Sequence, residues 1–176
     1  MNAQEVMIAS RLAGVRDLRE QVARLRAENA ALRDENEELR SHLAVAALAA
    51  RDLARLPEGG RMVVVDGWNL VLSAQRLYGS LDELVAAVKR RLEARTQDFA
   101  WIVLDGDREN SREEGRLRIT YTGGKGRHRA DRLVCDFLRM ARLSGDVSRI
   151  EVVTFDKDFR DSVGRLGGAS NMSVDG

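Results

Sequence analysis

The sequence predicts an α/β domain built on a parallel sheet and preceded by a long coiled-coil helix. Three observations carry that prediction. Leucines recur at spacing seven, at positions 18, 25, 32 and 39. From residue 62 onward, short apolar runs alternate with stretches of helical periodicity, the pattern of a sheet interleaved with helices. The only proline among the 176 residues, Pro57, is followed by Glu58, Gly59 and Gly60 and separates the two patterns. The boundaries expected from these signals are a coiled coil over 1–57, a linker over 58–61 and a domain over 62–176.

The coil is read from its heptads. With Leu18, Leu25, Leu32 and Leu39 at d, the a positions are Ile8, Val15, Val22, Asn29, Asn36 and Leu43. β-Branched residues at a with leucine at d favour two parallel strands. An asparagine at a pairs with its own copy only in a parallel, in-register dimer. The e row is Arg19, Arg26, Arg33 and Arg40, and the g row is Gln21, Glu28, Glu35 and His42. In a parallel dimer each g residue faces the e residue five positions later on the partner, so Glu28 meets Arg33 and Glu35 meets Arg40. Seam, polar a residues and edge charges agree on a parallel homodimer. The alternative is a long helix folded back on its own globular domain. The seam weakens towards the N-terminus, where Arg11 takes a d position and Gly14 follows. A basic DNA-reading helix is not expected, because residues 1–17 hold only Arg11 and Arg16 against Glu5 and Asp17.

In the second region each element has its own signal. Residues 62–65 read as a short buried strand ending in Asp66. Ser80 and Glu83 form a capping box for a helix over roughly 81–96. A second strand, Phe99–Leu104, ends in Asp105. Residues 106–115 read as polar loop, 117–121 as a third strand and 123–126 as a flexible glycine loop. A helix over about 129–143 follows, then a fourth strand over 150–155 ending in Asp156. A helix over about 157–166 and a last short strand within 169–174 complete the series. Strands this continuously apolar imply a parallel sheet covered on both faces.

Composition narrows the function classes. Lys and Arg number 29 and Asp and Glu 28, a net charge of +1, with 44% hydrophobic and 32% charged residues. That excludes a disordered chain and a strongly basic tail, although the sum hides how charge is distributed. One cysteine, Cys135, excludes an intrachain disulfide and a cysteine-built zinc cluster, and its place inside a helix reads as core. The longest apolar run, 43–50, is too short to span a membrane. The N-terminus has no signal-peptide pattern, so a cytoplasmic protein is expected.

The acidic residues are the most informative feature. Three predicted strands end in aspartate: Asp66, Asp105 and Asp156. In a parallel sheet the carboxyl ends share one edge, where ligands bind. Asp131, near the start of the helix after the glycine loop, and Asp158 can join them. Clustered carboxylates repel and raise one another's pKa, so a divalent cation best explains them. Oxygen ligands suit Mg²⁺ or Mn²⁺, which also bind phosphate and can activate a water for attack on phosphorus. Any one of these aspartates alone would read as a turn or helix cap. Asn69 fits as a neutral ligand or as an orienter of a carboxylate.

Basic residues gather nearby in the sequence. Between 116 and 132 lie Arg116, Arg118, Lys125, Arg127, Arg129 and Arg132, with His128, against the single acid Asp131. Flexible glycines and arginines suit a phosphate backbone, and RNA is the expected partner. A solvated charged face is the alternative. Trp68 and Tyr121 are candidates for base stacking, although packing is the commoner role. The glycine loop lacks the Walker spacing and its Lys-Ser/Thr pair, and the segment opening at Asp105 lacks the glycine and closing glutamate of an EF-hand.

Several of these segments resemble the NYN domain, in its YacP-like branch of the PIN-like ribonucleases. Residues 63–69, VVVDGWN, look like that family's opening strand. Residues 122–131, TGGKGRHRAD, are similar to its glycine-containing loop and Ala-Asp helix start. Residues 152–160, VVTFDKDFR, resemble its last acidic motif, and the GGA at 167–169 its tail. The resemblance covers about 62–176. It implies a Rossmann-like, PIN-like fold and metal-dependent hydrolysis of RNA phosphodiesters. It also implies that Asp66, Asp131 and Asp156 form the metal-binding core, with Asn69, Asp105 and Asp158 supporting them. The expectation is therefore a ribonuclease using Mg²⁺ or Mn²⁺, dimerised by its coil. The alternatives are a non-catalytic RNA-binding module and a scaffold whose coil recruits a further protein.

Overall fold

The computed structural model describes residues 3–73, 77–123 and 128–174. The chain divides into two compact units, Met1–Leu43 and Ala44–Gly176. A single helix, α1 (Ala3–Arg55), supplies the first unit and opens the second.

In the first unit the apolar heptad residues from Val15 to Leu43 are exposed. Val15, Leu18, Val22, Leu25, Leu32, Leu39 and Leu43 are each 45–70% exposed. Asn29 and Asn36 are exposed as well, and Asn36 Nδ2 donates to the Leu32 carbonyl at 2.9 Å.

The second unit is a mixed α/β domain. Its elements after α1 are β1 (Met62–Asp66), α2 (Gly67–Leu72), α3 (Leu81–Ala94), β2 (Phe99–Leu104), β3 (Glu109–Glu114), β4 (Leu117–Thr122), α4 (Arg129–Ser144), β5 (Ile150–Val153), α5 (Lys157–Leu166) and β6 (Ala169–Asn171). The six strands form one sheet in the order β3-β4-β2-β1-β5-β6. All pairings are parallel except β3 with β4.

Alternation along the strands builds two cores, as a pleated sheet requires. Val64, Trp101, Val103 and Val152 face one side, where Val134, Phe137 and Leu138 of α4 and Phe159 and Val163 of α5 cover them. Val63, Val65, Ile102 and Leu104 face the other side, under Leu70 of α2 and Leu84, Val88 and Leu92 of α3. Trp101 is fully buried and meets the Phe137 ring edge-on at 5.3 Å. The capping box at α3 is present: Ser80 accepts from the Glu83 N–H, while Glu83 Oε2 reaches back to the Gly79 N–H at 2.7 Å.

Two sequence expectations are corrected here. The first is the boundary. Residues 44–56 belong to the globular unit, where Val45, Ala49, Leu53 and Leu56 are buried with α4 and α5. Asp52, on the same stretch, is buried against Arg118 of β4, with Arg118 Nη2 2.6 Å from Asp52 Oδ1. Pro57 ends the helix but not the coil. The second is the polar loop at 106–115, which contains β3. All six β3 residues are exposed, so no alternation marks the strand. It is an antiparallel edge strand held by its backbone, and its charges discourage pairing with another chain. One element has no counterpart in the sequence reading: α2 follows β1 without a break. Gly67 opens it because any Cβ there would collide with the Leu104 side chain.

Candidate functional site

The strand order reverses at β1. The chain runs from β1 to β2 on one side and returns, by way of α4, to β5 on the other. The crevice outside the carboxyl ends at such a reversal is the usual ligand site of a parallel sheet. Asp66 is the last residue of β1, and Asp156 caps α5 just beyond β5. Asp131 stands in the first turn of α4.

Thr154 joins the two strand ends. Its side chain is fully buried, with Oγ1 2.8 Å from Asp66 Oδ2 and 3.1 Å from Asn69 Oδ1. The same oxygen accepts the Asp156 N–H at 3.2 Å. Asn69 Oδ1 also accepts the Phe155 N–H at 2.7 Å. Asn69 therefore orients the end of β5, and its amide oxygen is already occupied. The sequence reading did not single out Thr154; its one signal was a hydroxyl inside the apolar run of 152–155.

Asp131 and Asp105 are held by different donors. His128, in the left-handed region at φ 58°, places Nδ1 3.0 Å from Asp131 Oδ2. Asp105 Oδ1 accepts the Ala130 N–H at 2.8 Å and lies 3.2 Å from Thr122 Oγ1. Asp105 thus braces the start of α4 against the end of β4, which fixes where Asp131 stands. Gly123, the residue after β4, has φ 69°. A Cβ there would sit 2.5 Å from the Glu109 backbone nitrogen. Trp68 Nε1 donates to the Asp105 carbonyl at 2.7 Å, so this indole ties α2 to β2.

The electrostatics connect these carboxylates. Burial pushes the Asp66 carboxyl up, and the charges of Asp131 and Asp156 push it further. The Thr154 hydroxyl and the Asn69 N–H pull it back, leaving it at about 6. Asp131 is also raised, first by burial and then by Asp156 and Asp105, against the opposing contact with His128. Asp66, Asp131, Asp156 and Asp105 therefore share one negative field. Asp158 is exposed in the first turn of α5 and is not among the main charges acting on either raised carboxyl.

A hard divalent cation fits the chemistry of this donor set, because it offsets charge that burial leaves poorly solvated. Among the described residues, however, no group of three or more His, Cys, Asp or Glu side chains is already arranged to hold one. The carboxylates take protein donors instead, as Asp156 Oδ1 does from the Phe159 N–H at 3.0 Å.

The expected basic group divides. His128, Arg129 and Arg132 are exposed at the start of α4, on either side of Asp131. Lys125 and Arg127 lie outside the described residues. Arg116 and Arg118 are corrections to the sequence reading, for they stand at the opposite end of β4. The Arg116 guanidinium donates to the carbonyls of Leu92, Arg95 and Asp98, closing the C-terminus of α3. Arg118 is buried between Asp52 and Glu113, with its guanidinium 5.9 Å from the Trp101 ring centre. Neither can meet a phosphate at the acidic edge.

No family model, curated protein or solved structure matches this chain. Its function is argued from the site alone. Among the described residues, no helix is long and apolar enough to cross a membrane.

Proposed function

We propose that the second unit is a PIN-like, metal-dependent ribonuclease acting in the cytoplasm. The observation that carries this reading is the field at Asp66. A nearly buried carboxyl is held at about 6 by burial and by two like-charged neighbours at the reversal of the sheet. Asp66, Asp131 and Asp156 would hold Mg²⁺ or Mn²⁺, with Asp105 steadying the α4 side of the crevice. A cation bound there would lower the pKa of a water and offset charge on the scissile phosphate.

The chain's own residues account for the rest. Thr154 and the Asn69 N–H keep Asp66 in one orientation and favour its ionised form. Asn69 Oδ1 fixes the β5 end through the Phe155 N–H. Arg129, Arg132 and His128 supply positive charge beside the acids, where a single RNA strand can lie with a phosphate over the crevice. Asp158 and the loop residues Lys125 and Arg127 belong to the same reading as outer contacts.

A second reading has its own support. The exposed His128, Arg129 and Arg132 at the start of α4 would serve a non-catalytic RNA-binding module equally well. Incubation of a labelled single-stranded RNA with the full chain and Mn²⁺ separates the two. Cleavage that is lost in Asp66→Asn and Asp156→Asn supports the nuclease. RNA binding without cleavage by wild type favours the module.

A further inference from the structure

We infer that the first unit is an interface for a second copy of this same chain, paired parallel and in register, with its seam ending at Leu43. This inference is independent of the reading of the acidic crevice. Val15, Leu18, Val22, Leu25, Leu32 and Leu39 recur on the a and d positions of one helix and are all 45–61% exposed. Apolar rows of this length are covered in a folded protein.

The edge charges identify what covers them. Among the described residues, no ion pair within the chain involves Arg26, Glu28, Arg33, Glu35 or Arg40. The nearest intrahelical pair is Arg16 with Glu20. These residues complement a second copy of themselves, Glu28 facing Arg33 and Glu35 facing Arg40 of the partner helix. Antiparallel pairing would set e against e and g against g. The four arginines of the e row would then oppose one another, as would Glu28 and Glu35. Neither a heteropartner nor an antiparallel copy is needed to satisfy both rows.

The fold itself marks where the seam stops. Continued past Leu43, the seam positions are Ala46, Ala50 and Leu53. The domain instead takes Val45, Ala49, Asp52 and Leu56 of this stretch, together with Leu53, and Ala50 stays exposed. Leu43, at 70% exposure, is the last large residue left for a partner.

Sedimentation equilibrium of the full chain at micromolar concentration tests the interface. The expected mass is twice the 19.6 kDa of one chain. Leu25→Glu with Leu32→Glu should give a monomer whose tryptophan fluorescence, from Trp68 and Trp101, is unchanged. Orientation is read with Val22→Cys in a Cys135→Ser background. Oxidation should link the copies almost completely, because residue 22 meets its own copy only in the parallel register. As a check on charge, Glu28→Arg with Glu35→Arg should weaken self-association. Mixing with Arg33→Glu, Arg40→Glu chains should restore a dimer. A monomeric wild type, any other oligomer, or a Val22→Cys dimer that does not cross-link on oxidation would overturn the inference.

Discussion

Thr154 Oγ1 lies 2.8 Å from Asp66 Oδ2, joining the carboxyl ends of two neighbouring parallel strands through one buried hydrogen bond. That contact is what keeps the most buried acid of the crevice in a single orientation. It also opposes the burial that would otherwise push Asp66 higher still.

Thr154→Val keeps the shape and removes the hydroxyl. The Asp66 carboxyl should then titrate above its present value of about 6, because a donor to its charged form is gone. Mn²⁺ affinity should fall by about 10-fold or more, as for other groups that orient metal ligands. Calorimetric titration with Mn²⁺ checks this; unchanged affinity would remove Thr154 from the site.

Asp66 itself should cost the fold stability at neutral pH. Its carboxyl is raised in the folded state, so the folded chain holds the proton more tightly than the unfolded one. The stability that goes with the proton is present below the usual carboxylate range and is lost as pH rises through about 6. Asp66→Asn should therefore be more stable than wild type at pH 8, by about 2 kcal/mol. The margin should shrink towards zero near the ordinary aspartate pKa. Urea unfolding across this range measures it, and a variant less stable than wild type at pH 8 would contradict the assignment.

The Asp52–Arg118 pair should matter for stability and not for RNA. Both side chains are buried, so Asp52→Ala leaves the guanidinium without its buried carboxylate, with the half-exposed Glu113 and the Trp101 ring beside it. The loss should be about 3 kcal/mol. Asp52→Ala combined with Arg118→Met should recover much of it, since an apolar pair can fill the same space. Denaturant midpoints decide the matter. A double variant no better than the single would mean that the pair contributes more than charge compensation.

Arg129 and Arg132, at the start of α4, should separate in RNA binding from Arg116, just before β4. Arg129→Ala and Arg132→Ala should each weaken binding irrespective of RNA sequence and reduce the salt slope by about 0.7. Arg116→Ala should leave that slope unchanged, because its guanidinium is committed to the end of α3. Filter binding at several salt concentrations distinguishes them.

How far the sequence disclosed this arrangement can be argued residue by residue. Asp66, Asp105 and Asp156 were legible because buried parallel strands are apolar runs and the residues that end or closely follow them share an edge. The α3 cap was legible because Ser80 and Glu83 act within three residues. β3 was not, because an exposed edge strand pairs through its backbone and carries no apolar period. Arg118 was misread because its partner, Asp52, lies 66 residues away on a helix assigned to the coil. That assignment failed because Val45, Ala49, Leu53 and Leu56 have a helical period whether they face a partner helix or a domain core. Thr154 escaped notice because a lone hydroxyl at a strand end has no distinguishing spacing.

The central claim is that Asp66, Asp131 and Asp156 hold a divalent cation. Anomalous diffraction from crystals soaked in Mn²⁺ tests it most directly. The expected result is a strong peak within coordination distance of Asp66 and at least one of Asp131 and Asp156, absent in Asp66→Asn crystals. No peak in the crevice at saturating Mn²⁺, with the crevice open to solvent in the lattice, would contradict it.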